Sequence, residues 1–346
     1  MMGSRLEPRL SQYTRTRIQV ARPQLLVRIL AKKHTMAENM LDRHNGVLPT
    51  TRPIVWGKRL QGYLFIIPAF VLYATFFLWP LVQLVQLSLT DWDGLSPKHF
   101  IGLGNYRLLL FDDEVFWKAF GHNVLWLLAA EVLPVALGLV LAILLARSPM
   151  RGRAFFRALY FAPQVLSSVI VAVIWRWIYN PTSGALNTFL RAIGLGSLQR
   201  GWLGDSLLAF PALFIAYTWV GYGFTMVIFL AALQDIDETL FDAAKVDGAN
   251  WLQQFRHVLV PSIRGPLTTV LLITAIGSFQ VFDLVFILTR GGPGFATQVL
   301  AMYMYQNAFP FSRVGYGATI AVTLGVIILI FSLIFLRVRN ALREEA

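Results

Sequence analysis

Residues 235–265 read DIDETLFDAAKVDGANWLQQFRHVLVPSIRG. The stretch lies between two strongly apolar runs, yet its composition is not that of a loop. Asp237 can cap a helix that starts at Glu238, with acid in the first turn where the helix dipole favours it. Leu240, Phe241, Ala244 and Lys245 follow at helical spacing. Gly248 suits the left-handed position that ends such a helix. Asn250 can cap a second helix, with Gln253 three residues on as its reciprocal partner. Phe255, Val258 and Leu259 give that helix an apolar face, and Pro261 is expected to stop it. The stretch therefore predicts two short amphipathic helices joined at a Gly-Ala-Asn corner. Such a knob needs a surface to cover its apolar face.

Outward from this knob the chain is a series of apolar runs. A bilayer crossing needs about 20 apolar residues. Six segments meet that length: roughly 62–88, 117–146, 155–178, 206–234, 266–289 and 315–337. They account for the 56% apolar content and for a charged fraction of only 14%, against about 25% in soluble chains. The expected fold is an all-α membrane protein with six transmembrane helices. Pro134, Pro163 and Pro211 fall inside these runs and are expected to kink them. The absence of cysteine excludes a disulfide scaffold, a thiolate metal site and a cysteine nucleophile.

The net charge of +12 is concentrated, not spread. Residues 1–60 hold 12 Lys and Arg against 3 Asp and Glu, so the charge argues for a membrane-facing tail and not for nucleic acid. Residues 1–58 read as a basic cytoplasmic tail, flexible, in which 24–43 could form a surface helix. The six-span permease domain would then occupy 59–346, with residues 235–265 as its distinctive loop. Lys and Arg mark cytoplasmic segments. With the N-terminus inside, the inner segments hold 22 and the outer loops 6. Both termini are thus expected in the cytoplasm.

Asp242-Ala243-Ala244, Asp247-Gly248-Ala249, Phe255 and Val260-Pro261 resemble the "EAA" loop of binding-protein-dependent ABC importer permeases, with Asp242 in place of the usual Glu. Phe100-Ile101-Gly102-Leu103-Gly104-Asn105-Tyr106 and Leu288-Thr289-Arg290-Gly291-Gly292-Pro293 resemble segments of the carbohydrate-uptake permeases related to the maltose transporter. Much of the chain from about 62 to 340 shares in this likeness. It implies a type I importer permease fold in the inner membrane and a coupling role for Asp242, Ala243, Ala244, Asp247, Gly248, Ala249 and Pro261. It also implies a second permease subunit, two cytoplasmic ATPase subunits and an extracytoplasmic solute-binding protein. ATP and Mg are expected in the partner ATPase, because nothing here fits G-x-x-x-x-G-K-[ST]. This chain would bind no cofactor or metal and would catalyse nothing itself.

The resemblance also places substrate near the bilayer middle, at Gly221, Phe224, Thr274 and Ser278, with Trp219 and Gln280 nearby. Amides, hydroxyls and aromatic faces suit a sugar. An oligosaccharide or glycoside is the expected substrate, with glycerol-3-phosphate as the alternative, although no basic pocket residue is evident. Glu131 and Asp283 fall inside apolar runs, where an ionisable group is a functional candidate. They support a rival reading as a proton-coupled secondary transporter, which leaves the 235–265 knob unexplained. The five histidines are scattered and suggest no catalytic or metal constellation.

Overall fold

The computed structural model of the chain describes residues 32–33, 56–147 and 152–344. Most of the predicted tail 1–58, including nearly all of 24–43, lies outside the described residues. The described residues up to Tyr73 belong to one unit and those from Ala74 onward to another. In the first, helix α1 spans Trp56–Tyr73. In the second, a π turn at Ala74–Leu78 precedes α2 (Trp79–Ser88). There follow α3 (Glu114–Arg147), α4 (Arg153–Val165), α5 (Ser168–Ile178), α6 (Ala185–Ala192) and α7 (Ala209–Gln234). The knob contributes α8 (Glu238–Val246) and α9 (Trp251–Gln254). The chain closes with α10 (Arg264–Phe279), α11 (Asp283–Leu288), α12 (Leu300–Ala308) and α13 (Val314–Glu344).

Five stretches are long and apolar enough to cross a bilayer: Leu64–Ser88, Glu114–Ala146, Ala209–Gln234, Arg264–Leu288 and Val314–Ala341. A sixth arises if α4 and α5, bent by 96° at their junction, count as one broken span. These coincide with the six predicted runs to within a few residues. The bend follows Pro163, which removes a helical donor and crowds the preceding turn. Pro211 does not act as predicted. It lies in the first turn of α7, where its missing N–H costs nothing. Pro134 sits inside an unbroken α3. The fold is also not wholly helical. Thr90–Asp91 (β1) pairs antiparallel with His99–Phe100 (β2). The Asn105 amide anchors this end of α2 by donating to the Ser88 and Thr90 carbonyls, at 3.1 and 2.9 Å.

Helices α3 and α7 form the most extensive pairing in the second unit. Small residues make it possible, as in membranes generally, where burial of apolar surface from lipid drives little. A Cβ on Gly138 would lie 1.9 Å from Thr225 Oγ1 and 2.8 Å from the Met226 nitrogen. Thr225, itself buried, has its hydroxyl 2.8 Å from the Pro134 carbonyl across the same crossing. Further along, Trp126 of α3 is enclosed edge-on by Phe210, Phe214 and Tyr217 of α7, with ring centroids 5.3–5.6 Å apart. Asn123 joins three elements. Its Nδ2 donates to the Ser278 carbonyl of α10 at 3.1 Å, and its Oδ1 accepts from the first amide of α12 at 2.8 Å.

Gly138→Ala is expected to destabilise the solubilised chain by about 1–3 kcal/mol through overpacking. Gly325→Ala, where a Cβ meets nothing within 4 Å, should leave the melting temperature unchanged or slightly raised. Thermal denaturation followed by tryptophan fluorescence checks both.

Candidate functional site

The knob forms largely as its sequence dictates. Asp237 caps α8 by accepting from the Thr239 amide at 2.9 Å. That bond, followed by one from the Thr239 hydroxyl, holds the Asp237 carboxyl below the usual carboxylate range. The helix ends in a full Schellman motif. The Ala249 amide donates to the Ala244 carbonyl, the Gly248 amide to that of Lys245, and Gly248 sits at φ +75°. Asn250 and Gln253 form the predicted capping box, with reciprocal bonds of 2.9 and 2.7 Å. The 2.8 Å Asp242–Lys245 ion pair is exposed on both sides and adds only about 0.3–0.5 kcal/mol.

Pro261 departs from its predicted role as a helix stop. The chain runs from α9 through a wide π turn at Phe255–Leu259 and stays helical over Val260–Ser262. The π turn is the physical reason: Pro261 begins a new helical segment, where an N–H is not required.

The apolar face of the knob is divided. Ile236, Phe241 and Phe255 pack against a cluster built on Met226, Phe229, Leu259 and Ile263, so the spans themselves cover that side. The outer side is uncovered. Leu240 is 50% exposed, Val246 87%, Trp251 58% and Leu252 65%. Ala244, Asp247, Gly248 and Ala249 line a notch of about 310 Å³ in the corner between α8 and α9. Asp242 and Ala243 lie exposed on α8 beside it.

A second concavity, of about 420 Å³, opens among the spans. It lies where two helices are interrupted: at the α4–α5 junction and at Gln280–Phe282, between α10 and α11. Of the predicted substrate residues, Gly221, Phe224, Thr274 and Gln280 line it. Ser278 and Trp219 do not. Ser278 is fully buried and donates to the Thr274 carbonyl at 2.8 Å. Trp219 packs edge-on against Trp175 at 5.9 Å. Gly223 is a packing point, where a Cβ would lie 3.0 Å from the Tyr160 carbonyl, whereas a Cβ on Gly221 would make only ordinary contact with Pro134 at 3.4 Å.

Sequence reasoning missed Gln164, Ser168 and Tyr217, which also line the cavity. The signal for the first two was a polar break, Pro163-Gln164 followed by Ser167-Ser168, inside an apolar run. The two acids separate. Asp283 faces the cavity and accepts a hydrogen bond from the Ser168 hydroxyl. Both Glu131 carboxyl oxygens are buried without a hydrogen-bond partner among the described residues. No group of His, Asp and Glu among the described residues has metal-site geometry.

These features are those of a membrane transport subunit, and comparison with known proteins places the chain more closely. Residues 138–343 match the family described as "Binding-protein-dependent transport system inner membrane component", and the chain belongs to that family. It is 39% identical over 290 residues to the "Probable ABC transporter permease protein YurN" of Bacillus subtilis, covering 83% of this chain and 99% of the relative. It is 32% identical to the "Lactose transport system permease protein LacF" of Rhizobium radiobacter, covering 79% of this chain and 91% of that one. The "Diacetylchitobiose uptake system permease protein NgcF" of Streptomyces coelicolor is also 32% identical, with 84% and 86% covered. The fold matches a chain of a bacterial ABC transporter that imports the acidic polysaccharide alginate, with TM-score 0.73, 21% identity, and 82% and 96% covered.

Removing the Asn250 cap costs a helix about 1 kcal/mol. Asn250→Ala should therefore speed amide exchange across Trp251–Leu259 roughly five-fold while leaving Glu238–Val246 unaffected. Hydrogen–deuterium exchange resolved by mass spectrometry reads this directly.

Proposed function

We propose that the chain is the permease subunit of an ATP-driven importer and forms half of a translocation pathway for a carbohydrate. One observation carries this reading: a rigid, doubly capped knob with an exposed apolar tip, between two spans of a chain in this transport family. A capped helix transmits displacement where an unstructured loop would absorb it. The exposed Leu240, Val246, Trp251 and Leu252 give a second protein an apolar surface to bury, and the notch beside Gly248 gives it shape. The occupant is a cytoplasmic ATPase subunit, since this sequence has no phosphate-binding loop of its own.

Membership of the family supports the rest of the machinery. A second permease subunit completes the pathway, two ATPase subunits drive it, and a solute-binding protein outside delivers substrate. The excess of Lys and Arg on the knob side supports a cytoplasmic location for both termini and the knob. Relatives named for lactose and diacetylchitobiose uptake support a sugar. The cavity supports it independently: Gln164, Gln280, Thr274 and Ser168 offer amides and hydroxyls, and Tyr217 and Phe224 offer aromatic faces.

Co-expression with the neighbouring genes, purification through a C-terminal tag and an ATPase assay test the proposal. Proline cannot adopt the positive φ of Gly248. Gly248→Pro should lower binding-protein-stimulated ATPase activity at least ten-fold, and Gly248→Asn should leave it near the native level. If no ATPase associates with the native chain in the presence of the partner permease, the reading is wrong.

A further inference from the structure

The cavity has an uneven charge. Among the described residues its lining holds one carboxylate, Asp283, and no Lys, Arg or His. The remaining polar groups are neutral. One Asp283 oxygen, Oδ2, accepts from Ser168. No described residue bonds the other, Oδ1, which is available to a ligand. The geometry explains how this acid is held. Asp283 is the first residue of α11 and Ser168 the first of α5. Their contact joins the two interrupted helices in the lining of the cavity, and the amide-rich start of α5 favours a negative group beside it. Glu131, by contrast, turns both oxygens into buried surroundings and does not line the cavity.

We propose that Asp283 is a specificity-determining residue that sets this half of the pathway against anionic sugars and in favour of neutral ones. The inference rests on the transport reading above. A sugar hydroxyl can donate to Oδ1 in a charge-assisted bond, which is stronger than a bond between neutral groups. A uronate or sugar phosphate entering the same space meets a like charge a few ångströms away and finds no cation in this lining to replace the water it loses. Both effects act against the anion. The Ser168 hydroxyl holds Oδ2, which leaves Oδ1 as the oxygen to accept from a ligand.

The absence of cysteine from the chain allows a direct test. Thr274→Cys puts a single thiol in the cavity, and Ser183→Cys supplies a control thiol outside it. The full chain, assembled with its partner permease and ATPase subunits in nanodiscs, is treated with cationic trimethylammonium-ethyl and anionic sulfonato-ethyl methanethiosulfonate. The ratio of their reaction rates reports the local potential. At Thr274→Cys this ratio should fall about ten-fold when Asp283→Asn is added, and return with Asp283→Glu. At Ser183→Cys it should not change. Neutral disaccharides and trisaccharides should protect the Thr274→Cys thiol in the native background. Their uronic-acid counterparts should protect it with Asp283→Asn at concentrations at least ten-fold lower than in the native background. A thiol that labels readily, with a ratio or a sugar preference indifferent to Asp283→Asn, overturns the specificity role and leaves the pathway standing. A thiol that resists both reagents and small neutral methyl methanethiosulfonate shows that the cavity is off the aqueous pathway and overturns the specificity role, while the ATPase co-purification decides the transport reading separately.

Discussion

The crossing of α3 and α7 at Gly138 is the constraint on which the rest of the second unit depends. In lipid, apolar side chains gain little by leaving their surroundings, so helices hold together by close approach and by matched polar groups. Gly138 allows the approach, and the Thr225 hydroxyl beside the Pro134 carbonyl supplies the polar match. This contact fixes the axis of α7. That axis then sets the position of everything attached to it: the aromatic enclosure of Trp126 on one side of the crossing, the cavity wall at Tyr217, Gly221 and Phe224, and the knob that follows Gln234.

The interruptions in the helices obey the same logic. Broken helices at membrane depth leave backbone groups without their usual partners, and this is tolerated only where protein or a water-filled space receives them. Two breaks, at the α4–α5 junction and at Gln280–Phe282, adjoin the cavity. Discontinuous helices meeting at a binding site are a recurring arrangement in transporters, because half-helix ends present polar groups that a continuous helix keeps to itself. On the proposed reading the Ser168–Asp283 contact is the joint between the two breaks, and displacement of either half-helix passes to the other through it.

Much of this was legible in the sequence, and the reason is local. The six apolar runs, the Asp237 cap, the Gly248 turn and the Asn250–Gln253 box depend on residues within a few positions of one another. Where the outcome depended on distant packing, the sequence misled. Pro261 looked like a stop because the π turn before it was not visible. Pro211 looked like a kink because the start of α7 was not. Trp219 and Ser278 carried the right chemistry for a sugar site but face neighbouring helices, a matter of rotation that composition cannot reveal. Tyr217 went unnoticed among other aromatics. Asn123 is a polar residue in an apolar run whose role the sequence did not show, because its two partners, at Ser278 and Leu300, lie more than 150 positions away. The rival reading built on Glu131 and Asp283 gave way to the family match and to the separation of the two acids.

The central claim is that the knob seats a separate ATPase, and Val246 is the residue on which to test it. It is apolar, 87% exposed and at the end of α8. A photo-reactive benzoylphenylalanine at this position, irradiated in native membranes and analysed by mass spectrometry, should cross-link to a subunit that carries a phosphate-binding loop. The yield should change when nucleotide is added. Cross-links confined to lipid, or to other segments of this same chain, would contradict the account.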